Sequence, residues 1–241
     1  MHLTPFTTLS WAYQLHYYLC FRTHRRRPII ATDQCSSALR NLITEISTNH
    51  VYHLLEQHSY GDQLRCLVSL RPSQAIAKVI QTLKSNSSRE LAREFDLSLP
   101  VWARGYLARS SGGVRTSNVR AYLERQASHH GYAARVLPPV YKYRALQPTV
   151  LTTTHSSFDL THHLVFSTQH RKGVFTTTVA EALTDYWLRV AAKRNFALDQ
   201  ISVVPDHAHM IVRIVPKMSI EEVAQSMLNN AQSFIGQRYP E

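Results

Sequence analysis

Two histidines one residue apart stand in the stretch VVPDHAHMIV, residues 203–212. In a β-strand, residues i and i+2 point to the same face, so His207 and His209 would emerge side by side. Ala208 and Met210 would then face a core on the other side. Neutral imidazole is a common metal ligand, and two on one face would form a clamp for a metal ion. The same pattern also fits half-exposed histidines without a chemical role, so the motif needs further support.

A tyrosine and a glutamine four residues apart form a second candidate pair, in RTSNVRAYLERQASHH. Thr116 or Ser117 can cap a helix that continues to about His130, where a glycine follows. Tyr122 and Gln126 share one face of this predicted helix. Either the pair has a chemical role, or the tyrosine is ordinary packing and the glutamine is solvated. Spacing alone does not decide between the two.

The elements that must position these residues occur twice in the chain. LHYYLCFRTHRRRPII (15–30) corresponds to THHLVFSTQHRKGVF (161–175) at an offset of 145 residues. YGDQLRCLVSLRP (60–72) corresponds to VPDHAHMIVRIVP (204–216) at an offset of 144. Stretches with helical spacing of apolar residues follow each segment. Two β-α-β-β-α units predict an α+β fold of two ferredoxin-like (RRM-like) antiparallel sheets with helices on one face.

The two copies differ where chemistry is expected. At the positions of His207 and His209 the first copy has Gln63 and Arg65, so it cannot bind a metal in the same way. The second copy has no counterpart of the tyrosine helix. We predict a first domain, a proline- and threonine-rich linker and a shorter second domain, at residues 1–138, 139–157 and 158–241.

Positive charge is concentrated in one part of the chain. Residues 1–150 contain 19 Lys and Arg against 8 Asp and Glu, whereas residues 151–241 contain 8 of each. Of those 19 cations 16 are arginine, whose guanidinium matches phosphate oxygens and stacks on bases. This excess favours a nucleic-acid partner over a merely soluble basic surface.

The sequence lacks signs of a membrane or secreted protein. No apolar run approaches the roughly 20 residues that span a bilayer, and MHLTPFTTLSWAYQ lacks the regions of a secretory signal. Cys20, Cys35 and Cys66 have no metal-ligand spacing. We interpret them as reduced core thiols of a cytoplasmic protein, associated with the nucleoid if its partner is DNA.

Four pieces of the sequence resemble one family, the single-tyrosine HUH transposases of bacterial insertion sequences, with their relatives the REP-associated tyrosine transposases. The pieces are HHLVFSTQHRKGVF, PDHAHMIV, LKSNSSREL and WARGYLARSSGGVRTSNVRAYLERQ. The resemblance implies a sheet that carries two metal-binding histidines. It also implies a helix that carries a nucleophilic tyrosine and a third ligand. By position, His207, His209 and Gln126 are the implied metal ligands, and Tyr122 is the implied nucleophile.

The chain departs from the family pattern, because each copy keeps a different half of the site. We therefore expect a pseudo-dimer with one composite active site, either monomeric or further self-associated. The expected activity is metal-dependent nicking and strand transfer of single-stranded DNA through a 5′-phosphotyrosine intermediate, with Mg²⁺ or Mn²⁺ as cofactor. One alternative is a catalytically inactive, domesticated protein that binds DNA hairpins. A weaker one is an RNA-binding sheet protein, whose aromatic signature is absent.

Single-stranded or hairpin DNA is the expected partner, with Trp102, Tyr106 and Tyr141 available to stack on bases. Asp206 adjoins the histidine pair, but strand alternation predicts that its side chain faces away. The residues predicted to bind DNA are all basic: Arg25, Arg26, Arg27, Arg104, Arg109, Arg115, Arg120, Arg125, Arg171 and Lys172.

Overall fold

A computed structural model describes residues 12–112 and 139–239 of the chain. In chain order the elements are β1 (His16–Arg22), α1 (Asp33–Asn49), β2 (His53–Tyr60), β3 (Gln63–Ser69), α2 (Ile76–Glu94), β4 (Tyr106–Ser111), β5 (Tyr141–Arg144), β6 (Ser156–Asp159), β7 (Thr161–Ser167), α3 (Thr177–Arg194), β8 (Ala197–Val204), β9 (His207–Arg213) and α4 (Ile220–Arg238). They form two compact units. Both combine helices with a mainly antiparallel sheet, which confirms the predicted α+β class.

Unit 1 contains the first copy of the repeat. Its described residues are 12–112, 153–160 and 216–220. Its sheet has the order β2-β3-β1-β4-β6, and only the β4–β6 pair is parallel. Alternate residues of β1 are buried, since one face of the strand packs against the helices. Thr32 directly precedes α1, and its hydroxyl accepts a hydrogen bond from the backbone N–H of Cys35 and so caps the helix.

Unit 2 contains the second copy. Its described residues are 139–152, 161–215 and 221–239. The sheet order is β5-β8-β9-β7, with antiparallel pairing throughout. A hydrogen bond connects the two helices of this unit. The indole N–H of the buried Trp187 in α3 donates to the carbonyl of Met227 in α4 at 3.1 Å. The segment predicted to be a linker contains the strand β5. Its residues, from Tyr141 onward, pair with β8.

The repeat extends to details of the backbone. Arg25 and Arg26 have φ of 54° and 55°, and their counterparts His170 and Arg171 have φ of 56° and 55°. Each pair lies in a short turn after the first strand of its copy. Sheet irregularities also correspond, between residues 54 and 56 in one copy and between 198 and 200 in the other. The predicted repetition of one β-α-β-β-α unit is therefore confirmed.

Two of the three cysteines lie in the core. Cys35 and Cys66 are buried and Cys20 is half-buried, and all three are free thiols. Within residues 12–112 and 139–239, no helix is long and apolar enough to cross a bilayer.

Candidate functional site

The histidine pair lies on β9, between β8 and β7 in the sheet of unit 2. Ala208 and Met210 are completely buried on the opposite face, as the alternation predicted. The rings of His207 and His209 are 4.8 Å apart between centroids, at 69° to each other. A strand with neighbours on both sides holds its backbone through ladders of hydrogen bonds, so the two imidazoles start from a fixed base.

Asp206 contacts His207 directly. Its Oδ1 lies 2.6 Å from Nδ1 of the imidazole, and its Oδ2 lies 2.8 Å from Nε of Arg171. The expectation that the Asp206 side chain faces away was wrong. Asp206 belongs to the turn before β9, where strand alternation does not apply. A carboxylate on Nδ1 fixes the proton there and leaves Nε2 with the lone pair.

The charge state of Asp206 suits this role. Partial burial raises the pKa of the Asp206 carboxyl. The hydrogen bond and charge of His207 lower this pKa, as does the charge of Arg171, and together they outweigh burial and hold the pKa below its usual range. Asp206 is therefore ionised at neutral pH and accepts hydrogen bonds from both neighbours. Arg171 was predicted to bind DNA; here it forms an ion pair that holds the carboxylate in place.

His209 has a different partner, His163 of β7. Nε2 of His163 and Nδ1 of His209 are 3.1 Å apart. Burial, and then the nearby His207, His163 and Arg171, lower the pKa of His209 to about 4. Burial also lowers the pKa of His163. At neutral pH both imidazoles are uncharged, the form in which histidine binds a metal.

Sequence reasoning did not single out His163. In the register of β7 and β9, Val165 lies opposite His209, so His163 is its diagonal neighbour on the same face. The only indication in the sequence was that His163 stands two residues before Val165, in a strand that the repeated unit places next to β9.

The donors on β9 fit a divalent metal ion in part. Two imidazoles on one face of a strand are suitable ligands for Mn²⁺ or other transition metals and leave coordination positions open. The described residues contain no cluster of three His, Cys, Asp or Glu side chains that could hold a metal. A further ligand of another type is required, and the predicted one is Gln126. Five predicted site residues lie outside the described residues: Tyr122, Gln126, Arg115, Arg120 and Arg125.

The predicted DNA-binding residues have differing surroundings. Arg25, Arg26, Arg104, Arg109 and Lys172 are exposed on their own units.

Arg27 instead donates to backbone carbonyls of His24, Ser98 and Pro100 and to the Ser98 hydroxyl, which fits a structural role. Trp102 is 5% exposed, packs against Phe21 and donates to the hydroxyl of Ser87. It is a core residue rather than the base-stacking platform that we expected.

The corresponding positions of unit 1 have no metal-binding character. Arg65 donates to Oε1 of Gln63 at 3.2 Å, so these two side chains share one face as their histidine counterparts do. Asp62, the counterpart of Asp206, lies 3.7 Å from Arg22. The first copy keeps the acidic residue of the turn but has no imidazoles for it to orient.

The sequence resemblance implied a sheet that carries a histidine pair, and the sheet of unit 2 has this pair on a central strand. The chain belongs to the IS200-like transposase family, which matches residues 11–126 and 156–241, more than half of its length. Among curated proteins it is similar to the ISDra2 transposase TnpA of Deinococcus radiodurans, with 24% identity over 84 residues. These make up 35% of this chain and 60% of that protein, less than two thirds of the relative.

Two solved structures are also similar to this chain. One is the crystal structure of a transposase candidate from Deinococcus radiodurans R1. The alignment of the two chains has a TM-score of 0.42 and 21% identity, and it covers 50% of this chain and 96% of that one. The other is a REP-associated tyrosine transposase bound to a REP hairpin. It has a TM-score of 0.34 and 11% identity, and covers 48% of this chain and 68% of that one.

Proposed function

We propose that this protein is a transposase that nicks and rejoins single-stranded DNA, with a metal ion held by His207, His209 and Gln126 and with Tyr122 as nucleophile. The observation that carries the proposal is the contact made by Nδ1 of both β9 histidines, which would direct a ligand to Nε2. Each Nδ1 has its own partner, Asp206 or His163. Membership of the IS200-like transposase family supports the reaction class.

The chemistry divides between the protein and the metal ion. A bound Mg²⁺ or Mn²⁺ would polarise the scissile phosphate and orient it. The Tyr122 oxygen forms a bond to phosphorus as its proton leaves, and the bond from phosphorus to the 3′-oxygen breaks. That oxygen takes up a proton and leaves as a free 3′-OH. A 5′-phosphotyrosine linkage results, and attack on it by a 3′-OH rejoins DNA and regenerates the tyrosine. The linkage keeps the energy of the broken bond, so no nucleotide cofactor is needed.

Asp206 and His163 have no part in bond breaking. Asp206 binds Nδ1 of His207, so Nε2 of that ring is the nitrogen that would bind the metal ion. Arg171 is neutralised in part by Asp206, which leaves the phosphate to be neutralised by other cations.

The proposed partner is single-stranded DNA or a DNA hairpin. The arginine excess of residues 1–150 supports this, as do the exposed Arg25, Arg26, Arg104 and Arg109. We further propose that the two copies form one pseudo-dimer with a single composite site. The protein would be either monomeric or further self-associated, and it would act in the cytoplasm at the nucleoid.

A second candidate function is DNA-hairpin binding without cleavage. The loss of imidazoles from the first copy favours it, since Gln63 and Arg65 occupy their positions. In that case the chain would still bind DNA but would no longer cleave it.

Covalent capture separates the two functions. The full chain is incubated with Mn²⁺ and a pool of single-stranded and hairpin oligonucleotides, and denaturation-resistant adducts are mapped by mass spectrometry. We expect an adduct on Tyr122 that is absent from Tyr122→Phe and from His207→Ala. Tyr60→Phe is the matched control, because Tyr60 is 84% exposed and lies outside the site. Tight DNA binding without any adduct would refute the enzymatic proposal and support the second candidate.

A further inference from the structure

The contact between His163 and His209 has the geometry of an in-line hydrogen bond. The two rings are nearly parallel, at 13°, and their centroids are 5.2 Å apart. That separation is close to the sum of the 3.1 Å N···N distance and the two ring radii. The rings therefore lie nearly edge to edge in one plane, with the two nitrogens pointing at each other.

This geometry leaves no room for a metal ion between the two nitrogens. A metal–imidazole bond is about 2.0–2.1 Å long, so an ion in line between them would need an N···N distance of about 4 Å. The observed distance is 3.1 Å. Two ligands side by side on one ion can also lie about 3 Å apart, but their lone pairs then converge on the ion, whereas these two nitrogens point at each other. His163 is thus a hydrogen-bond partner of His209 and does not share a metal with it through these atoms.

We propose that His163 is a positioning residue that fixes the proton of His209 on Nδ1 and so makes Nε2 the metal-binding nitrogen. Of two neutral imidazoles in this contact, one donates and the other accepts. If His209 is to offer Nε2 as a lone pair, its Nδ1 must carry the proton and donate it to Nε2 of His163. The metal-binding consequence rests on the proposed function, whereas the tautomer belongs to the protein itself.

The first copy supports this assignment. At the offset of 145 residues the counterpart of His163 is Tyr18, and at the offset of 144 residues the counterpart of His209 is Arg65. The imidazole and its imidazole partner are therefore absent together from unit 1. In the same unit Asp62, the counterpart of Asp206, is retained. Between the two copies, residue 163 therefore changes together with residue 209, whereas the aspartate of the turn is the same in both.

The tautomer can be measured without any metal. Long-range ¹H–¹⁵N correlation spectra of the full, metal-free chain at neutral pH report which nitrogen of His209 carries the proton. We expect the Nδ1–H tautomer in the wild type and in His163→Gln, whose amide oxygen can accept in place of Nε2. We expect its loss in His163→Leu. Val165→Ala, a change on the same strand at a 46% exposed side chain, is the matched control and should keep it. The Nε2–H tautomer in the wild type would overturn the proposal.

Metal affinity provides the second readout. Co²⁺ binding, followed by its visible absorption, should weaken by about 10–100-fold in His163→Leu and change little in His163→Gln and Val165→Ala. Equal affinity of His163→Leu and wild type would refute the positioning role, even if the wild type cleaves DNA. A wild type with the Nδ1–H tautomer that binds no metal would instead refute the proposed metal-dependent function and leave the assigned tautomer intact.

Discussion

Acid should destabilise unit 2 of the metal-free protein through His209. Its pKa in the folded state is about 4, lowered first by burial and then by His207, His163 and Arg171. In the unfolded chain a histidine titrates near about 6.5. Between these values the unfolded state binds more protons, so the free energy of unfolding falls as the pH falls. Above about pH 6.5 the ring is neutral in both states, and this contribution vanishes.

The magnitude follows from the difference between the two pKa values. At about 1.36 kcal/mol per pKa unit, a difference of about 2.5 units removes about 3 kcal/mol at the acid end of the window. At about pH 5 the loss is about 2 kcal/mol. The lowered pKa of His163 adds to the effect with the same sign. The contribution of Asp206, whose pKa is below its usual range, is lost only below about pH 4 and so does not interfere.

Urea denaturation in the presence of a chelator measures this effect. Trp187 is buried in unit 2, and replacing Trp11 and Trp102 with phenylalanine leaves it as the reporter. His209→Asn removes the titrating ring but keeps a donor near the Nδ1 position, so its stability should depend less on pH. His58→Gln removes a 77% exposed histidine as the control. If the wild-type and His209→Asn curves run parallel between about pH 7 and about pH 5, the reasoning is wrong.

Three other measurements test the described contacts. Asp206→Asn should weaken Mn²⁺ binding by about 10–100-fold in calorimetry, because His207 loses its carboxylate; unchanged affinity would contradict this. Asp199→Asn should cost about 3–5 kcal/mol in urea denaturation, because Asp199 is 9% exposed in a bidentate pair with Arg213, and a cost below about 1 kcal/mol would count against it. Burial raises the pKa of the Cys66 thiol to about 12, so mass spectrometry should find Cys66 unmodified by iodoacetamide in the folded protein, and rapid native labelling would refute this.

The sequence predicted the fold and the histidine pair because both depend on short-range patterns. The period of two places His207 and His209 on one face, and the repeat of apolar segments predicts two similar sheets. The prediction of the side-chain direction of Asp206 failed, because this direction is set in a turn by backbone angles that the residue spacing does not reveal. Sequence reasoning failed for His163, because the contact depends on the register between β7 and β9. Both missed residues contact the histidine pair from outside β9.

The turn around Asp206 shows how a structural feature of the fold acquires a chemical role. In each copy the backbone carbonyl of the aspartate accepts the N–H of a threonine, Asp62 from Thr23 at 2.8 Å and Asp206 from Thr168 at 2.9 Å. Both aspartates therefore stabilise the same turn through the main chain, whether or not histidines follow. Among residues 12–112 and 139–239, an imidazole lies within hydrogen-bond distance of the carboxylate in the second copy alone. The turn thus belongs to the scaffold of both copies, and in the second copy the aspartate side chain also contacts the imidazole of His207.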